Sequence, residues 1–183
     1  MKRLAQSFRR RARNAASFRR AESAATAVEF ALIAPAFIAT LVAVLQVCIF
    51  LFAQMAIQNA AVEAGRFFMT GQAQNGGWTA GTIISKVCTT TNLSVLFNCS
   101  NLYVVVQNYS SFSSASTTQP TMYSGSTPIT GYTYDPGTQG DVMVVQLIYA
   151  WPVISAPLGF NLSNLPSNQI ELMGVSAFRV EPY

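Results

Sequence analysis

The sequence predicts an α+β protein: a long N-terminal helix with a membrane-spanning first half, and a small antiparallel sheet packed on its outer half. An uncharged stretch from Phe30 to Val62 predicts the helix. After Gly71 the composition shifts to glycine, serine, threonine and asparagine, with few charges. Within this second part, three runs rich in β-branched and aromatic residues predict strands at 102–109, 142–151 and 170–180.

The first half of the helix has the length and composition of a membrane span. Residues 30–52 are almost entirely apolar, and a bilayer core of roughly 30 Å needs about 20 such residues. Gln46 is the main polar exception, and Pro35 lies near the start, where a mild kink is tolerated. A secretory signal peptide has a shorter apolar stretch of about 7–15 residues and a small-residue cleavage site after it. A buried core helix rarely stays uncharged for this length, so a membrane helix is favoured.

The basic residues predict the orientation of this helix. Eight of the eleven lysines and arginines precede it: Lys2, Arg3, Arg9, Arg10, Arg11, Arg13, Arg19 and Arg20. Such residues beside a first membrane helix are retained in the cytoplasm, so the chain from about Gln54 onward is predicted to lie outside. Beyond Ala24 the chain has three basic and six acidic residues. Nucleic-acid binding would need positive charge spread over a folded face, and no nucleic-acid partner is expected.

The helix is predicted to continue past the membrane and to end at Gly71. Its outer part carries a strip of small residues at helical spacing: Ala53, Ala56, Ala60 and Ala64. Small residues let helices approach other elements closely. The strip therefore packs either against helices of other subunits or against the protein's own sheet, and the sequence does not decide between them. Glu63 and Arg66 have the spacing of a weak surface ion pair.

Within the outer domain, the run 142–151 is apolar on both faces and predicts a central strand. The run 170–180 carries Glu171 and Arg179 and predicts an edge strand. A short helix is expected at 78–87. The serine- and threonine-rich stretch 110–140 is expected to be an exposed excursion, with Asp135-Pro136-Gly137 as a turn.

The chain has no histidine and three cysteines, which removes the commonest general base and metal ligand. No catalytic residue, metal site or cofactor is predicted, and an enzyme is not expected. Cys88 and Cys99 flank ten residues in the part predicted to lie outside, where disulfides persist. A bridge would stabilise the fold by roughly 2–4 kcal/mol; the alternative is two separate buried thiols. Cys48 lies within the membrane helix and is expected to serve packing.

The residues at the membrane entry, Ala24-Ala25-Thr26-Ala27-Val28-Glu29-Phe30, resemble the processing site of the tight-adherence (Tad, or Flp) class of type IV pilins and pseudopilins. In that class a prepilin peptidase cuts on the cytoplasmic side, and glutamate followed by an aromatic residue stands at the fifth mature position. The resemblance implies a cut between Ala24 and Ala25, although the family usually has glycine at the position of Ala24. The segment 58–66 and the chain end 178–183 are similar to further landmarks of TadE-like proteins.

The resemblance implies a TadE-like minor pseudopilin of the bacterial inner membrane, with a pilin-like fold and a structural role in assembling a Tad pilus. Its implied partners are the membrane, the prepilin peptidase, other pilins and pseudopilins, and the Tad secretion machinery. The implied segments are 1–24 (basic cytoplasmic leader), 25–53 (transmembrane helix), 54–71 (outer continuation of the helix) and 72–183 (outer domain). The alternative is an uncleaved single-pass membrane protein whose outer domain binds a surface or envelope ligand.

Glu29 has two interpretations. An ionised side chain at a membrane boundary is costly unless it is paired, so a function is suspected. Cleavage would create an ammonium group at Ala25, about one helical turn from Glu29, and the carboxylate could pair with it in its own subunit or in a neighbour. Alternatively, Thr26 and Glu29 form a capping box at the start of the helix. Both can hold together. Phe30 completes the assembly motif.

Overall fold

The computed structural model describes residues 22–153 and 161–183, and most of the basic leader lies outside these residues. The chain divides into two compact units, one with the helix as far as Leu45 and one that begins at Gln46. The helices are α1 (Glu22–Met69), α2 (Gln72–Asn75) and α3 (Ala80–Thr90), with 3-10 turns at Leu93–Val95 and Cys99–Asn101. The strands are β1 (Leu102–Tyr109), β2 (Tyr123–Ser124), β3 (Thr127–Pro128), β4 (Val142–Pro152) and β5 (Gln169–Arg179).

Helix α1 runs unbroken for 48 residues and accommodates Pro35 in its interior. Its most apolar 18-residue window has a mean hydropathy of 2.6, and only 11% of that window is buried. Large apolar side chains such as Leu32 and Phe37 are exposed, whereas a core helix of a soluble protein would cover them. The predicted long helix is confirmed, and its length and composition suit a membrane anchor.

The sheet has the order β1–β4–β5 and is antiparallel throughout. Tyr149 of β4 pairs with Leu102 on one side and with Leu172 on the other. The first eight residues of β4, 142–149, are all buried, which explains the run without alternation in the sequence. The three predicted strands, the central place of β4 and the edge place of β5 are confirmed.

The alanine strip of α1 packs on the protein's own sheet. Ala53, Ala60 and Ala64 are fully buried in the core formed by α1, α3 and the sheet. At Gly174 of β5, a side chain would overlap the carbonyl oxygen of Ile57. The strand therefore needs glycine at this position for the helix to approach so closely. Of the two alternatives for the strip, contact with the protein's own sheet is the correct one.

The end of α1 is set by Gly71, which adopts a left-handed conformation with φ 73°. A residue in this conformation ends a helix, and glycine adopts it with little strain because it has no Cβ atom. The predicted short helix exists but is displaced: α3 starts at Ala80 and extends to Thr90, and the Thr79 side chain caps its first turn. Trp78, expected inside this helix, lies before it and packs edge-to-face on Phe67, with ring centroids 5.5 Å apart.

The stretch 110–140 was predicted to be an exposed excursion, but part of it is buried against the sheet. Its Met122 is buried in a second small core with Val105 and Ile148, on the sheet face away from α1. The backbone N–H of Val106 donates to the carbonyl oxygen of Thr133 at 2.9 Å, and the Val106 carbonyl oxygen accepts from the N–H of Asp135 at 3.0 Å. Both faces of β4 are apolar, so the second face must be covered, and this stretch covers it. The predicted Asp135 turn is confirmed, since the Gly137 amide donates to the Asp135 carboxylate.

Candidate functional site

The membrane-entry motif lies within the first turns of α1. The helix is already formed at Glu22, so Thr26 lies inside it rather than at its N-cap. A capping residue has non-helical dihedral angles, and the capping-box interpretation is therefore wrong for the uncut chain. Ala25, Glu29 and Phe30 are exposed, and Ala25 and Glu29 are one turn apart on one face of the helix. This spacing would let the carboxylate meet an ammonium group at residue 25.

Two glutamines join α1 to the edge of β5, which the sequence analysis did not anticipate. The Gln54 side-chain amide donates to the carbonyl oxygen of Met173 at 2.7 Å. Gln58 makes two bonds to Val175: its amide donates to the carbonyl oxygen at 2.8 Å, and its oxygen accepts from the backbone N–H at 3.0 Å. Gln58 thus replaces a neighbouring strand for one residue. The only sequence signal was a pair of amides four residues apart, beside the alanine strip.

The last residues of the chain close the same helix–sheet junction. The backbone N–H of Glu181 donates to the carbonyl oxygen of Met69 at 3.0 Å, directly before the helix ends. Val180 is buried, and its backbone bonds to Gly140 and Asp141. The C-terminal landmark therefore lies beside the end of α1, where the segment 58–66 also packs. Both landmarks have a structural explanation in the docking of helix and sheet.

Cys88 of α3 and Cys99 of the second 3-10 turn form a disulfide, with Cα atoms 6.5 Å apart. It ties α3 to the start of β1 across the turn at 93–97. Among the described residues Cys48 is the free cysteine, and its side chain is exposed on α1. Beside the disulfide lies an open groove of about 520 Å³ lined by small side chains, including Gly81, Ser85 and Ser100.

Two further grooves lie on the face of the sheet away from α1, with volumes of about 490 and 420 Å³. They share residues 119–121, and their linings are mainly hydroxyl and amide groups, with Tyr132 in the first and Glu171 in the second. Burial raises the pKa of the Glu171 carboxyl, and a hydrogen bond from Gln119 partly offsets this. Its Oε1 atom is buried without a hydrogen-bond partner in the described part of the chain.

The comparison with protein families bears on α1. The family model described as TadE-like protein matches residues 24–70. This segment is TadE-like. The match covers the entry motif and the segment 58–66, and it ends one residue after α1. No curated protein and no solved structure matches the chain.

The TadE-like segment coincides with α1 and stops before α2. The resemblance first read from the entry motif is therefore confirmed. The C-terminal landmark 178–183 lies beyond the matched residues. The membrane-anchor character of α1 agrees with the match to this family model.

Proposed function

We propose that this chain is a minor pseudopilin that acts in assembly of a Tad (Flp) type IV pilus. The observation that carries the proposal is the TadE-like match over residues 24–70, which coincides with one unbroken helix of membrane-spanning composition. The role is structural rather than enzymatic. Its partners are the prepilin peptidase, other pilins and pseudopilins, and the Tad secretion machinery, with no nucleic acid involved.

The proposed topology follows the basic leader. Residues 1–24 stay in the cytoplasm and are removed, residues 25–53 span the inner membrane, and the outer part of α1 presents the domain 72–183 outside. The ammonium group of the new N-terminus at Ala25 then meets the carboxylate of Glu29 in the same or an adjacent subunit. Phe30, 73% exposed in the uncut helix, begins the surface that contacts lipid or neighbouring helices.

Cleavage tests this proposal. Co-expression with the cognate prepilin peptidase should shorten the chain by about 24 residues, since the cut would fall after Ala24, and intact-mass analysis of the membrane fraction would show it. Ala24→Leu should block cleavage because the family uses a small residue at this position. Ala24→Gly should be cut at least as fully as the natural chain, and Ala12→Leu, in the leader, serves as the matched control.

A full-length product beside an active peptidase would contradict the pseudopilin proposal. It would favour the second candidate, an uncut single-pass protein whose outer domain binds a surface or envelope ligand. The observation behind that candidate is the pair of adjoining polar grooves, where the Oε1 atom of Glu171 has no hydrogen-bond partner within residues 22–153 and 161–183.

A further inference from the structure

Helix α1 and strand β5 run side by side in the same direction, and their contacts fix which residues are level with each other. Gln54 bonds to Met173 and Gln58 bonds to Val175. Four helical residues rise about 6 Å, and two strand residues advance about 6.6 Å. Because the two advances agree, residue levels on the strand can be read from residue levels on the helix.

The same arithmetic locates the opposite end of the sheet. Ile170 precedes Met173 by three residues, or about 10 Å along the strand. Ten ångströms along α1 from Gln54 is about seven residues, which brings Ile170 level with Val47. Trp151 is the β4 partner of Ile170 and shares this level. Val47 lies within the apolar run of α1 that ends at Phe52.

This end of the outer domain exposes an apolar rim, defined here as Val95, Leu96, Trp151 and Ile170. Val95 is 82% exposed, and the other three side chains are partly exposed. Phe97 supports the rim from inside, because its ring packs on Trp151 with centroids 5.3 Å apart. A contiguous apolar patch on a protein surface is a candidate contact surface.

Charged residues are absent from the segments that supply the apolar rim. No charged residue occurs in 87–134 or in 142–170, the segments that supply the rim. The acidic and basic groups Asp141 and Arg179 lie at the opposite end of the sheet, where Val142 pairs with Arg179. Glu171 adjoins the rim in sequence, and burial raises the pKa of its carboxyl. The segments that supply the rim therefore carry no charged residue of their own.

We propose that the apolar rim lies in the interfacial layer of the outer leaflet, where Trp151 and Val95 give the domain a second membrane contact beside α1. Tryptophan favours this layer because its ring is apolar and its N–H is polar. The occupant is the lipid bilayer, since the rim is level with the apolar run of the same subunit's helix. The inference rests on the proposed function, in which α1 spans the membrane and the domain lies outside.

The two tryptophans of the chain allow a matched test. Trp78 packs on Phe67, thirteen residues beyond Gln54 and so about 20 Å farther from the membrane. The full-length Trp78→Phe variant reports on Trp151, and the Trp151→Phe variant reports on Trp78. Both are reconstituted into phosphatidylcholine vesicles with and without brominated acyl chains. Emission from Trp151 should fall at least about twofold in brominated vesicles, as expected of an interfacial tryptophan, and emission from Trp78 should stay unchanged.

Cys48 separates the two ways in which this test can fail. With α1 inserted, the Cys48 thiol should resist a water-soluble maleimide until detergent is added. Protected Cys48 together with unquenched Trp151 would overturn the rim proposal and leave the membrane span standing. Reactive Cys48 in intact vesicles would overturn both.

A charge placed in the rim provides the second variant. Val95→Glu, in the Trp78→Phe background, should reduce the quenching of Trp151, because a carboxylate resists transfer into the interface. Val62→Glu is the control, since Val62 is an exposed valine on α1 about 12 Å beyond Gln54. Equal quenching in the Val95→Glu and Val62→Glu variants would contradict a lipid-facing Val95.

Discussion

At the scale of single residues, Glu29 is the side chain on which the assembly proposal depends most. It is exposed one turn beyond Ala25, within a helix that begins before either residue. The helix starts before Thr26, so Glu29 does not form part of a capping box. A carboxylate at this depth is costly without a partner, and the proposed partner is the ammonium group that cleavage creates.

The Glu29→Gln variant keeps the size of the side chain and removes its charge. We expect the variant to insert and accumulate normally and piliation to fall sharply, because glutamine cannot neutralise the ammonium group of Ala25. Pili are counted by electron microscopy in a complemented strain, with membrane levels checked by immunoblot. Glu63→Gln is the matched control, since Glu63 forms only a surface pair with Arg66 at 4.0 Å. Normal piliation at normal Glu29→Gln levels would refute the assembly role.

Glu171 and Asp141 predict opposite responses to pH. Burial raises the Glu171 pKa above the unfolded value of 4.5, so the folded chain binds this proton more tightly and stability increases as pH falls toward 4.5. Hydrogen bonds from Thr138 lower the Asp141 pKa below 3.8, so its stabilising contribution is present above 3.8 and is lost below it. At neutral pH, burial of the Glu171 carboxyl therefore costs stability, whereas the hydrogen bonds of the Asp141 carboxylate contribute to it.

Glu171→Gln should raise the Tm at pH 7 by about 1–3 °C, because the amide has no charge to desolvate. The gain should shrink at pH 5, where the natural carboxyl is more fully protonated. Thermal unfolding of the full chain in detergent micelles at the two pH values measures this. Glu181→Gln, at an exposed position, is the control; a gain independent of pH would show that desolvation of the Glu171 charge is not the cause.

At the scale of elements, the docking of α1 on β5 depends on side-chain amides as well as apolar burial. Gln58→Ala leaves both backbone groups of Val175 without their partner. These groups are part-buried, so the cost should lie toward the lower end of the about 1–3 kcal/mol of a buried unpaired group. For a chain of this size, each kcal/mol lowers the Tm by about 2–4 °C. Calorimetry or circular dichroism in detergent measures the shift. Asn59→Ala changes the exposed neighbour and should have little effect on the Tm. An equal decrease in Tm for the two variants would show that the Gln58–Val175 hydrogen bonds do not stabilise the docking.

The link between α3 and β1 should be covalent in the cell. Peptide mapping without reductant should recover Cys88 joined to Cys99, with Cys48 free, because the structure places the first two as a disulfide. Cys48→Ser should leave assembly mostly intact. Closing a loop of this length contributes roughly 2–4 kcal/mol, so Cys88→Ser should lower the Tm markedly. Alkylation of both outer thiols without prior reduction would rule out the bridge.

At the scale of the whole molecule, long periodic segments were predictable from sequence and the contacts between them were not. The helix end at Gly71 and the three strands follow from local patterns, so they were located to within a residue or two. The bonds of Gln58 to Val175 depend on a register between elements more than a hundred residues apart, for which no local pattern exists. The burial of Met122 could not be predicted, because the apolar residues of this polar stretch, such as Phe112, Met122 and Ile129, are scattered and give no periodic signal.

The glutamine contacts have a consequence for how subunits can be joined. An unpaired sheet edge is a template for a strand from another chain, and fibres can grow by such strand donation. Here Gln54 and Gln58 occupy backbone groups of β5, and residues 133–135 occupy those of Val106 on β1. An incoming strand would first have to displace these bonds. Addition of a strand from another subunit at Met173, Val175 or Val106 is therefore disfavoured.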